Sequence, residues 1–111
     1  MKTIAAVTAL GALAHETRLE VFRLLVRAGA EGLSVGKIAE ALGIEANGRL
    51  TFHLKELVGA GLASSRQEGR FVFYSTNYGA MNELLHYLTE DCCGGLGCSE
   101  IVATCKTESC A

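Results

Sequence analysis

The chain contains no proline and no tryptophan, and its first 91 residues contain no cysteine. Without proline there is no stiff proline-rich linker, and nothing of that kind interrupts a helix. No apolar run approaches the ~18 residues that a membrane-spanning helix needs. Charge of one sign is also missing. Ten basic and twelve acidic side chains give a net charge of -2, so overall charge does not single out a polyanionic partner. No glycine-rich phosphate loop, paired-carboxylate motif or cysteine–histidine arrangement is present, so the chain is not read as an enzyme.

Half of the 111 residues are hydrophobic and a fifth are charged, which fits one globular domain with a modest core. The charge is unevenly placed. Residues 1–46 balance. Residues 47–82 set Arg49, Lys55, Arg66 and Arg70 against Glu56 and Glu68, whereas residues 83–111 set Lys106 against Glu83, Glu90, Asp91, Glu100 and Glu108. All five cysteines (Cys92, Cys93, Cys98, Cys105 and Cys110) lie in the last 20 residues. An odd number confined to one tail is a poor disulfide framework, and thiolate ligands in a reducing cytoplasm fit better. The expected organisation is therefore a folded domain over 1–91 and a cysteine-rich tail over 92–111.

Met1 to Ala14 has the outline of a short signal peptide, with Lys2, an apolar stretch from Ile4 and a small-residue end at Ala12–Ala14. Its weak hydrophobicity and the helical spacing of Ile4, Val7 and Leu10 favour a structural helix at an interface. Residues 16–28 form an amphipathic pattern through Leu19, Phe22, Leu25 and Val26. Ser34 can cap a short helix over 35–42, and Gly43 ends it. A turn over 43–46 leads to a helix near 47–60, whose buried stripe is Leu50, Leu54, Leu57 and Val58. Short helix, glycine turn and second helix have the layout of a helix-turn-helix. Residues 62–67 and 70–76 read as two strands joined at Glu68-Gly69, with Arg66 and Arg70 flanking the turn. A last helix over 79–91 carries Met81, Leu84, Leu85 and Leu88.

The fold class is thus mainly α with a two-stranded β wing. The candidate DNA contacts are Asn47, Arg49, Thr51, Phe52, His53 and Lys55 on the second helix, with His53 as its support, and Arg66 and Arg70 on the wing. Pairing of the first and last helices across a two-fold axis, through Ile4, Val7, Leu84 and Leu88, would bury two apolar stripes.

Together these residues resemble the ArsR-type winged-helix repressors over roughly residues 8–93. Leu13-Ala14-His15-Glu16-Thr17-Arg18-Leu19 is similar to the opening-helix motif of the family, with Glu16 where proline is usual. Arg49 to Leu57 followed by Ala60-Gly61-Leu62 is similar to its recognition helix, and Glu68-Gly69-Arg70 with Tyr74 to its wing. The resemblance implies a cytoplasmic homodimer that sits on double-stranded operator DNA and leaves it when an inducer binds.

The arsenic-sensing version known best carries a Cys-x-Cys pair before the recognition helix. Here that stretch is Leu33-Ser34-Val35-Gly36-Lys37. Cys92-Cys93, after Tyr87 to Asp91, instead resembles a subgroup that senses trivalent arsenic at the end of the last helix. Thiolates suit that soft ion, and antimony(III) as well. Glycines 94, 95 and 97 ease a return of the chain to Cys98, which makes Cys92, Cys93 and Cys98 the candidate triad. Zinc in an all-thiolate site, inert thiols, and a redox sensor or metal-buffering protein are the competing readings.

Overall fold

The computed structural model describes residues 1–90. The candidate triad Cys92, Cys93 and Cys98, and the whole expected tail, lie outside the described residues.

Among the described residues five helices and three short strands follow one another as α1 (Thr3–Leu13), α2 (Glu16–Ala28), β1 (Leu33–Ser34), α3 (Val35–Leu42), α4 (Gly48–Gly59), β2 (Ala63–Glu68), β3 (Phe71–Thr76) and α5 (Tyr78–Thr89). The core lies between α2, α4 and the sheet. Val21 and Leu25 from α2, Ile38 from α3, Leu50, Leu54 and Leu57 from α4, and Leu62 are almost wholly removed from water. Burying each such side chain contributes about 1.5–3 kcal/mol. The anchoring stripe of α2 is therefore Val21, Phe22 and Leu25, whereas Leu19, expected inside, is 44% exposed. The α2 sequence has apolar residues on more than one face, so spacing alone does not choose the inner one.

The caps explain where the helices begin. Ser34 Oγ accepts the Lys37 amide at 3.3 Å and starts α3. Asn47 Oδ1 accepts the amides of Arg49 and Leu50 at 3.0 and 3.3 Å and starts α4. Asn77 does the same for α5 through the Ala80 amide, and its Nδ2 donates to the Gly61 carbonyl. Tyr78 then donates its hydroxyl to the Val26 carbonyl at 2.8 Å, tying the start of α5 to the end of α2.

Two features of the sheet depart from expectation. The first is β1, which pairs antiparallel with β3 (Leu33 opposite Tyr74), so that β3 is the middle of three strands in the order β1-β3-β2. Two residues carry no readable alternation, so β1 has no sequence signature. Gly32 makes the approach possible. Its φ is +73°, and a Cβ there would stand 2.3 Å from the Tyr74 carbonyl oxygen. The second is the hairpin turn, which falls at Gly69-Arg70, one residue later than expected, because Glu68 still pairs with Phe71. Gly69 takes the positive φ the turn needs, and Arg70 comes to sit at the tip.

α1 presents Ala6, Ala9 and Ala12 to the rest of the protein and leaves Ile4, Val7 and Leu10 exposed. On α5, Leu84 turns into the core and is only 6% exposed, while Leu85 and Leu88 face outward. Leu84 is thus a core residue, and Leu85 takes the outward place expected of it. α1 and α5 lie against each other, joined by the hydroxyls of Thr3 and Tyr87.

Candidate nucleic-acid interface

The inner face of α4 is fixed by Leu50, His53, Leu54 and Leu57, all buried. At about 100° per residue, the opposite face carries Gly48, Thr51, Phe52 and Lys55, with Arg49 and Glu56 on its flank. Arg49, Phe52 and Lys55 are exposed, and Thr51 is half-buried. The structure thus brings Arg49, Thr51, Phe52 and Lys55 together on one accessible side of a helix held by its other side.

The two helices of the helix-turn-helix share an electrostatic peculiarity. Neither α3 nor α4 has a carboxylate in its first turn, and Lys37 and Arg49 stand there instead. A cation at the positive end of a helix is locally unfavourable, typically by a few tenths of a kcal/mol. By contrast, α2 follows the ordinary rule, with Glu16 first and Arg27 last. The helix dipole and an added cation together make each N-terminal end attractive to an anion, although the side-chain caps already occupy part of its amides. Asn47 is exposed at this end, but its side-chain oxygen is occupied in capping. A cleft of about 380 Å³ opens here between Thr17 of α2 and Asn47, Arg49 and Leu50, with Glu45 at its side.

His53 lies on the inner side of α4, 7% exposed, so its place is beneath the helix rather than on the accessible face. The Arg18 guanidinium donates from Nε to His53 Nδ1 at 3.1 Å and approaches the Glu56 carboxylate at 3.9 Å. The His15 ring packs 4.5 Å from the His53 ring, centroid to centroid. His15 Nδ1 in turn accepts the Thr17 amide and caps α2. Burial, and then the nearby His15, Arg18 and Arg49, hold the His53 pKa below the usual imidazole value, against an opposing pull from Glu56. A neutral His53 with Nδ1 as acceptor is what the Arg18 bond requires. Arg18 and His15 are supports that the helical periodicity of α2 did not single out. Their partner is 35 residues or more away, and no local pattern marks such a contact.

The two wing arginines separate. Arg66 donates to Glu68 and to the carbonyl of Glu31 at 2.7 Å, and its guanidinium stands 5.1 Å from the centre of the Phe73 ring. It is occupied in holding β2 against the loop between α2 and β1. Arg70 is exposed at the hairpin tip.

An exposed, capped helix with a cationic N-terminus, preceded by a short helix and followed by a basic-tipped hairpin, defines a winged helix-turn-helix protein. Residues 13–66 match a family described as a helix-turn-helix domain. The chain is 40% identical over 86 residues to the transcriptional activator HlyU of Vibrio cholerae, covering 75% of this chain and 76% of that protein. The solved structure of HlyU from Vibrio cholerae superposes with a TM-score of 0.61 and 35% identity over 79% of this chain and 97% of that one. A structure described as a possible transcriptional regulator for arsenical resistance gives 0.64 at 25% identity, over 86% and 94%. A homodimeric winged helix-turn-helix domain from Mycobacterium bovis gives 0.61 at 24% identity, over 78% and 80%, and shows the fold alone. The chain belongs to the ArsR/HlyU family of winged helix-turn-helix transcriptional regulators. Among its described residues no helix is long and apolar enough to cross a membrane.

Proposed function

We propose that this chain is a homodimeric repressor that occupies operator DNA and is released when trivalent arsenic, or antimony, binds Cys92, Cys93 and Cys98. The DNA part is carried by one observation: Arg49, Thr51, Phe52 and Lys55 share the accessible face of α4, whose first turn carries a cation and no carboxylate. α4 enters the major groove by its N-terminal end, and Arg70 reaches the backbone or minor groove from the wing. Ile4, Val7, Leu10, Leu85 and Leu88, exposed on two touching helices, form an apolar patch suited to a second copy of the chain.

The inducer part rests on chemistry and likeness. Five thiols cluster after α5, none stands in the stretch Leu33–Lys37, and a similar structure is described as a possible regulator for arsenical resistance. HlyU is named an activator, which makes activation rather than repression the competing mode; a redox response of the same thiols is the other.

A gel shift on the DNA upstream of its own coding region tests the reading, repeated with arsenite and with peroxide. Wild-type protein is expected to shift the DNA and to let go with arsenite. Cys92→Ser and Cys93→Ser should still bind but stay bound. Release by peroxide alone would transfer the assignment to redox sensing, and arsenite release from the double serine variant would refute the metalloid site.

A further inference from the structure

We propose that Phe52 is a thymine reader, its ring meeting the C5-methyl group of a thymine in the major groove that receives α4. The inference rests on α4 being the DNA-contacting helix and adds to it a base preference.

The ring is out of place for a packing role. Phe52 is 53% exposed and stands on the side of α4 opposite the buried Leu50, Leu54 and Leu57. The other exposed large apolar residues of the helices lie on α1, α2 and α5, so Phe52 belongs to no apolar patch on its own helix. Arg49 precedes it by three residues and Lys55 follows it by three, so a polyanion drawn to those cations meets the ring between them.

The ring is also held. The Arg18 guanidinium carbon stands 5.6 Å from its centroid, and Arg18 is fixed in turn by His53 at 3.1 Å and Glu56 at 3.9 Å. A side chain already positioned has less conformational freedom to lose on docking. One turn towards the N-terminus on the same face is Gly48, where a Cβ would find nothing within 4 Å. Helical side chains lean in that direction, so the space on that side of the ring is not filled by a side chain from position 48.

Chemistry selects the base. A phenyl ring neither donates nor accepts a conventional hydrogen bond, so it cannot use the donor and acceptor pattern of the groove. The methyl group of thymine is the one apolar feature in that pattern.

Binding sites are selected from a randomised duplex pool with the full-length protein. Each thymine of the selected site is then replaced singly by deoxyuridine, which removes the methyl group and keeps the pairing. For wild type, one replacement in each half-site is expected to weaken binding by about four-fold, the worth of one buried methyl(ene) group. Phe52→Ala is expected to bind the thymine and deoxyuridine sites equally, with an unchanged circular dichroism spectrum. Where Phe52→Ala binds too weakly for that comparison, Phe52→Asn takes its place: a ratio near one supports the proposal, and an undiminished preference for thymine overturns it. Methyl dependence that persists in Phe52→Ala, or its absence from wild type at every thymine, likewise overturns it while α4 remains the DNA-contacting helix. Failure of the wild type to enrich any sequence overturns that underlying reading, and the thymine contact with it.

Discussion

The recognition helix and the wing carry the same sort of residues and use them differently. On α4 the apolar stripe and the Arg18–His53 bond hold the inner side, and Arg49 and Lys55 are left accessible on the outer one. On the hairpin one of the two arginines does the holding itself. Arg66 reaches back to Glu31 and Glu68, and only Arg70 remains at the tip. A cation on the surface of this fold is therefore left accessible or used as a strut according to what secures its element. A six-residue strand with one buried residue, as β2 is, needs the strut.

The largest effect that exposes this difference is expected in the anchor of α4. Leu54 is fully buried at the centre of the inner stripe. Leu54→Ala should cost about 2–5 kcal/mol of folding stability in urea unfolding. An equivalent truncation on the outer face, Lys55→Ala, should stay within about 0.5 kcal/mol. Comparable losses at the two positions would mean that α4 is not held from one side.

Next comes the division between the arginines. Arg49→Ala and Arg70→Ala should each lower the magnitude of the log–log salt slope of DNA binding by ~0.9, if each side chain neutralises one phosphate. Arg66→Ala should leave that slope unchanged and instead loosen the hairpin, costing about 1 kcal/mol or less because the ion pair is exposed. A slope that falls with Arg66→Ala as it does with Arg49→Ala would remove the distinction between strut and contact.

Much of this is legible in the sequence. The Ser34 cap, the Gly43 stop and the apolar spacing place α3 and α4 within a residue of where they lie, because each signal is local, while the capping role of Asn47 emerges only in the structure. The misplacements arise where the deciding contact is distant. β1 exists because β3 offers it an edge, with Tyr74 opposite Leu33. Leu19 and Leu84 each sit on helices with apolar residues on more than one face, and tertiary packing chose Val21 and Leu84 for the inside. Arg66 and Arg70 look alike in a charge count, and only the carbonyls of the α2–β1 loop tell them apart. The contact of Arg18 with His53 is hidden from the sequence for the same reason. Asn47 offers a check on the local signals: Asn47→Ala should cost about 0.5–2 kcal/mol, and Asn47→Asp should restore most of it.

The smallest expected effect is a pH dependence that belongs to α4 and not to the wing. His53 has its pKa held below the ordinary imidazole value of 6.5 by burial and by His15, Arg18 and Arg49. Well above the ordinary imidazole value both the folded and the unfolded chain carry this ring uncharged, and its contribution to stability is complete. As pH falls through the unfolded value, the unfolded chain takes up a proton that the folded chain resists, so stability declines until the lower folded value is reached. Protonation would also put a hydrogen on Nδ1, where the Arg18 Nε–H already points, and so remove the acceptor of that bond. Below the usual imidazole range, unfolding free energy should therefore fall more steeply in wild type than in His53→Gln, which has no ring to titrate. Since Arg18 also positions Phe52, the same acidification should loosen the outer face of α4 while the Arg66 contacts, made to a carboxylate and carbonyls, persist. Fluorine spectra of protein labelled with fluorophenylalanine, read at Phe52 and at Phe73, separate the two regions: a shift confined to Phe52 near the His53 titration fits, and parallel shifts at both rings would erase the contrast between helix and wing.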